Sequence, residues 1–160
     1  QIEYLRDALK KEIENREINH IHRLIKRARF PVYKTFDGYD FCQTKLPPAL
    51  TKEDLLNVSF IEKKQNLVLY GPVGLGKTHM AIAAGVLACK KGYKVRFYTV
   101  TELVLKLAEA RKNGTLERLR TTLNQQDLLI LDEWVQFTEL SGRCSVFERP
   151  LSDAKRPLFF

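Results

Sequence analysis

A chain of 160 residues is long enough for one domain with a real core and a short appendage, and 44% hydrophobic against 29% charged residues exclude wholesale disorder. No apolar run approaches the ~20 residues that cross a bilayer, and the charged opening QIEYLRDALKKEIENREI has no signal-peptide core, so a cytoplasmic location without membrane contact is the expectation. The formal charge of +8 is concentrated: no acid stands between Glu17 and Asp37, where His20, His22, Arg23, Lys26, Arg27, Arg29 and Lys34 all fall. Such a block suits a polyanion, or equally a solvated helix face.

Three parts follow in order. Residues 1–30 read as a basic helical segment, with Ile2, Leu5, Leu9 and Ile13 in one apolar stripe and Ile18, Ile21, Leu24, Ile25 and Ala28 in another. The stripe drifts near Asn15, which leaves one helix or two open, and Pro31 ends the pattern. Residues 31–50 form a connector closed by Pro47-Pro48, whose Phe36, Tyr39 and Phe41 predict packing on the domain that follows.

The core domain is expected over 51–160. Thr51 and Asp54 have capping-box spacing and open a helix to about residue 61. A short strand over 67–70 enters a glycine-rich turn, and a buried helix over 79–91 stops at Gly92. Next come a strand over 94–100, a helix capped by Thr101, a break at Asn113-Gly114, and a helix with Leu116, Leu119 and Leu123. Residues 127–131 (DLLIL) are apolar enough for a strand buried on both faces of a parallel sheet. Strands alternating with helices predict βαβ units with right-handed crossovers. Cys42, Cys89 and Cys144 are odd in number and form no C-x-x-C, so they read as scattered reduced thiols.

The chemistry concentrates at Gly71-Pro72-Val73-Gly74-Leu75-Gly76-Lys77-Thr78, a G-x-x-x-x-G-K-T run with a strand before it and a helix after it. Its glycines let backbone N–H groups turn inward around a phosphate, and the helix start adds free donors and a positive dipole end. Lys77 is expected to bridge β- and γ-phosphates, Thr78 to enter a magnesium shell, and His79 to belong to the same nucleotide-binding set. Four apolar residues, 128–131, then end in Asp132 and Glu133. Asp132 is expected to hold magnesium, mostly through water, and Glu133 to activate the attacking water.

The segments NLVLYGPVGLGKTHMAIA, GYKVRFYTVTELV and QQDLLILDEW resemble the IstB-like helper ATPases of bacterial insertion sequences, AAA+ proteins close to DnaC-type helicase loaders. The upstream REINHIHRLIKRARFPVYKTFDGYDF resembles the same family and tilts the reading away from the loaders. The resemblance implies an α/β three-layer P-loop sheet of AAA+ type, with the acidic strand beside or near the P-loop strand. It further implies ATP and Mg2+ as cofactors, bacterial cytoplasm, and self-association on double-stranded DNA to recruit or stimulate a transposase. Lys106, Arg111, Lys112, Arg118 and Arg120 would then face the DNA. The runner-up is a loader that acts on single-stranded DNA and a replicative helicase; a small-molecule phosphotransferase and a binding-only module stand further off.

Two departures qualify the match. After Trp134 the chain reads VQFTELSGRC where the family has a Gly-aromatic turn and a proline. It also stops at Arg156-Pro157-Leu158-Phe159-Phe160, the expected opening of the next strand, so a fragment short of the sensor residue and lid is expected. An arginine finger normally lies further on, and Arg143 and Arg149 are poor substitutes for it.

Overall fold

The computed structural model describes residues 2–41, 44–46, 50–133, 144–149 and 158–159. The N-terminal segment is one helix, α1 (Ile2–Ala28), which runs through the drift near Asn15 without a break. Asn15 is flanked by the good helix formers Glu14, Arg16 and Glu17, and Arg16 reaches back one turn to Glu12 at 2.7 Å. What changes along α1 is the face it buries. Leu24 and Ala28 are in the core and Ile25 packs against it, whereas Leu5, Leu9 and Ile13 are 60%, 64% and 57% exposed. Among the described residues no helix is long and apolar enough to cross a membrane.

The connector does pack on the core. Phe36, Tyr39 and Phe41 form a triad of rings with centroids 4.9 to 5.8 Å apart, set against the buried cluster. Pro47, Pro48 and Cys42 lie outside the described residues. After β1 (Thr44–Lys45), the capping box at Thr51 opens α2 (Lys52–Asn57). The single helix expected to residue 61 is instead two, because Val58 turns left-handed at φ 49° and α3 (Ser59–Glu62) restarts beyond it. The turn is held from both sides: the Val58 side chain is buried, and Ser59 Oγ donates to Asp54 Oδ1 at 2.7 Å.

The remaining elements are β2 (Asn66–Tyr70), α4 (Lys77–Lys90), β3 (Val95–Thr99), α5 (Val100–Lys112), α6 (Leu116–Asn124), β4 (Leu128–Asp132), β5 (Cys144–Arg149) and β6 (Leu158–Phe159). The cap of α5 is Thr99, not Thr101: its hydroxyl accepts from the Glu102 amide at 3.2 Å. The T-x-x-E spacing belongs to Thr99 and Glu102, and it starts the helix as soon as the strand ends.

The sheet order is β1-β5-β2-β6-β4-β3. Strands β2, β6, β4 and β3 are parallel, as expected of βαβ units. β5 runs antiparallel to β2, so the sheet is mixed and not wholly parallel. The strand expected at the chain end is β6, and it separates the P-loop strand β2 from the acid-ending strand β4.

Helix α4 lies against β2, β3 and β4, with α1 and α2 packed on it. It is apolar nearly all round, with Met80, Ile82 and Val86 buried, each worth roughly 1.5–3 kcal/mol of transfer free energy. Gly85 is where α4 meets its neighbours most closely, since a Cβ there would sit 2.7 Å from Ile130 and 2.8 Å from Phe30. The end of α1 is thus keyed into the core through Phe30. Cys89 is buried on the same helix, and burial pushes its thiol up to about 12, so it is inert as expected of a structural thiol.

The α2 capping box also sets a pH dependence. Hydrogen bonds from Ser59, then Thr51, then Lys63 hold the Asp54 carboxyl far below the usual carboxylate range. The stability that this ionised group contributes is complete above the unfolded value of about 4 and drains away as the pH falls from there toward the depressed native value. Asp54→Asn is therefore expected to lower Tm near neutral pH, with the gap to the parent closing in acid. A gap of equal size at neutral and acid pH, followed by circular dichroism, contradicts this assignment.

Candidate phosphate-binding site

Parallel strands bring their C-terminal ends to one edge of the sheet, and in the β3–β4 pair Thr99 stands opposite Asp132. The loop 71–76 leaves β2 at that edge and turns straight into α4. Its path needs glycine: Gly74 and Gly76 have φ of 90° and 76°, the left-handed region that side chains rarely adopt. Gly76 is also the N-cap of α4 and supplies no side-chain hydrogen bond, and the first turn holds no acid. The free N–H groups and the helix dipole are thereby left to an anion.

Lys77 is half-buried and lies over the loop, where Nζ donates to the carbonyls of Gly71 and Pro72, each at 2.8 Å. Among the described residues its ammonium is held by neutral oxygens and by no carboxylate. Thr78 Oγ1 donates to Asp132 Oδ1 at 3.1 Å, across 54 residues of sequence. Two hard oxygen ligands thus touch at the mouth of the loop, which fits a small divalent cation that keeps water and phosphate as its other ligands. Glu133 follows Asp132, is exposed and has φ 58°.

His79 is placed differently from its neighbours. Its Nε2 donates to the Thr35 carbonyl at 2.8 Å, and its ring meets Tyr39 edge-on with centroids 5.2 Å apart. The Tyr39 ring in turn lies 3.4 Å from where a Cβ of Gly76 would be. The connector is therefore latched to the first turn of α4, with His79 committed to the latch. Nothing in the spacing of the P-loop signals that contact; only the aromatic content of the connector hinted at it.

The five basic residues of 101–123 are unequal. Lys106 is 2.6 Å from Glu102 and 4.7 Å from the Tyr98 ring centroid. Arg120 stands 3.8 Å from Glu117 in an open pair. Arg111, Lys112 and Arg118 are exposed, and among the described residues they have no ion pair. Trp134 and Arg143 lie outside the described residues, and for Arg149 only the strand is described.

A glycine loop between strand and helix, and a loop threonine bonded to an aspartate one strand removed, define a P-loop NTPase of AAA+ type. The chain belongs to the IstB-like ATP binding protein family, whose sequence profile matches residues 1–148. It is 37% identical over 131 residues to the insertion sequence IS5376 putative ATP-binding protein of Geobacillus stearothermophilus, covering 82% of this chain and 52% of that one. It is 37% identical over 132 residues to the insertion sequence IS21 putative ATP-binding protein of Pseudomonas aeruginosa, covering 82% and 49%. The chain thus spans about half the length of these relatives. A solved structure of the replication initiator DnaA bound to AMPPCP and single-stranded DNA aligns with 64% of this chain and 31% of that one, at 26% identity and TM-score 0.48.

The latch yields a direct test. His79→Ala removes the bond to Thr35, worth about 1 kcal/mol, and is expected to speed hydrogen exchange at the Tyr39 amide, which bonds Phe36 O at 3.0 Å, by about fivefold. Unchanged protection at Tyr39 contradicts the latch and leaves ring packing as the whole restraint.

Proposed function

We propose that this chain binds ATP with magnesium at the loop 71–78, hydrolyses it, and couples the nucleotide cycle to assembly on double-stranded DNA and to recruitment or stimulation of a transposase. The observation that carries the nucleotide site is the Thr78–Asp132 contact, which joins two separate sequence signals at one sheet edge. The insertion-sequence relatives support the choice of partner.

In this reading the backbone N–H groups of Gly71, Pro72, Val73, Gly74, Leu75 and Gly76 cradle the phosphates and Lys77 spans the β- and γ-phosphates. Thr78 and Asp132 are the residues that would hold magnesium. Magnesium neutralises charge on the phosphates when bound. The Glu133 carboxylate takes a proton from the attacking water as its oxygen bonds to the γ-phosphorus and the bond to the bridging oxygen breaks, releasing ADP. His79 supports the site through the connector.

For DNA, Arg111, Lys112, Arg118 and Arg120 make phosphate contacts, and Lys106 contributes less because Glu102 shares its charge. Such contacts are independent of sequence and steeply salt-dependent. Self-association has a surface available in the exposed Leu5, Leu9 and Ile13 stripe of α1.

The test compares double- and single-stranded DNA across a salt series, with and without ATP. Duplex binding is expected to be tighter than single-strand binding and to be strengthened by ATP only while Lys77 is present, and Lys77→Ala to weaken nucleotide binding roughly 10-fold or more. Arg111→Glu with Lys112→Glu should flatten the salt slope by about 2 or more. Glu133→Gln should bind ATP normally but hydrolyse it roughly 100-fold or more slowly. Preference for single strands would instead support a helicase loader, and absence of DNA binding at low salt would defeat both.

A further inference from the structure

The basic block between Glu17 and Asp37 has no part in the nucleotide site, yet the fold gives it a definite place. Leu24 and Ala28 turn one face of α1 into the core. At about 100° per residue, Arg23 and Lys26 fall on the opposite side. There they line a shallow hollow with Arg16, Asn19 and His22. Arg23, Lys26, Arg27 and Arg29 are all exposed.

Some of the chain's surface cations have a carboxylate beside them. Arg16 pairs with Glu12, Lys106 with Glu102 and Arg120 with Glu117. Among the described residues, none of Arg23, Lys26, Arg27 and Arg29 is in an ion pair. A fifth cation joins them: Arg96 Nη1 donates to the Arg27 carbonyl at 2.7 Å, and its Nε lies 3.2 Å from Tyr98 Oη. Arg96 is thus fixed at the foot of α1, and among the described residues it is in no ion pair. Crowding uncompensated charge in this way costs self-repulsion, which a polyanion would relieve.

Tyr98 also sets where this cluster points. Its ring has Arg96 at 5.3 Å and Lys106 at 4.7 Å, so it stands between the cation at the foot of α1 and the middle of α5. Both helices pack on β3, the last strand of the sheet. The basic end of α1 and Lys106 of α5 are therefore brought to the same strand, β3.

We propose that the basic end of α1 (Arg23 and Lys26 on its outward face, Arg27 on its flank and Arg29 in the turn just beyond it, with Arg96 at its foot) is a second contact for the phosphate backbone of duplex DNA, one that needs no nucleotide. A duplex carries one phosphate per about 1.7 Å of axis over its two strands, so it compensates several cations at once in any register. An acidic peptide must instead carry a matched row. None of these residues touches the loop 71–78 among the contacts described, which is why the contact stands without ATP. The inference rests on the proposed function only for duplex DNA as the ligand.

The experiment is fluorescence anisotropy of a labelled duplex with the whole chain, across a salt series, without nucleotide and with a non-hydrolysable ATP analogue. Arg23→Glu with Lys26→Glu is expected to weaken nucleotide-free binding about 10-fold or more and to flatten the salt slope by about 2 to 4, with nucleotide affinity unchanged. Should the charge reversal impair folding, Arg23→Ala with Lys26→Ala carries the same test with a slope change of about 2. Unaltered affinity and slope in these variants overturn the proposal. Duplex binding that appears only with the ATP analogue overturns it too, while leaving the proposed function standing. Displacement of the duplex from this face by polyglutamate at equal charge reassigns the face to an acidic protein and overturns it. No duplex binding in any arm overturns both.

Discussion

The hydrogen bond from Thr78 Oγ1 to Asp132 Oδ1 states the constraint on which the rest of the molecule depends. A helix start and a strand end, 54 residues apart, must reach the same point. Parallel pairing is what allows it, because β2 and β4 then finish at one edge of the sheet. β6 lies between them, so the acid is offset from the loop by one strand and meets the first turn of α4. α4 in turn must sit flat on the sheet, and its unbroken apolar surface with Gly85 pressed between Ile130 and Phe30 is what that requires.

The same constraint explains why the segment before the core is ordered against it. Phe30 fills the space beside Gly85, Tyr39 covers Gly76, and His79 ties the connector to α4. α1 then leaves the core, exposing first a basic face and then an apolar stripe.

Much of this was legible in the residues. Period and turn chemistry placed every strand from β2 to β4 within a residue or two, and the P-loop and the Asp132-Glu133 pair were readable because their chemistry permits few other residues. What was not legible came from competition between local signals or from tertiary packing. Two threonines stood near the start of α5, and only the position of Glu102 selects Thr99. Val58 is a β-branched residue in a left-handed turn, which no propensity would choose; its burial and the Ser59–Asp54 bond hold it there. The antiparallel β5 and the Arg27–Arg96 contact depend on which segments meet in space. Sequence spacing is silent on that.

The most direct measurement of the central claim is calorimetric ATP binding, with and without magnesium, to the parent, Thr78→Ala, Asp132→Asn and the double variant. If the two oxygens form one magnesium site, each single variant loses the magnesium-dependent part of the affinity. The double variant then loses little more than the worse single, because residues sharing a ligand couple. ATP binding that ignores magnesium in the parent, or independent and fully additive losses, would contradict the account.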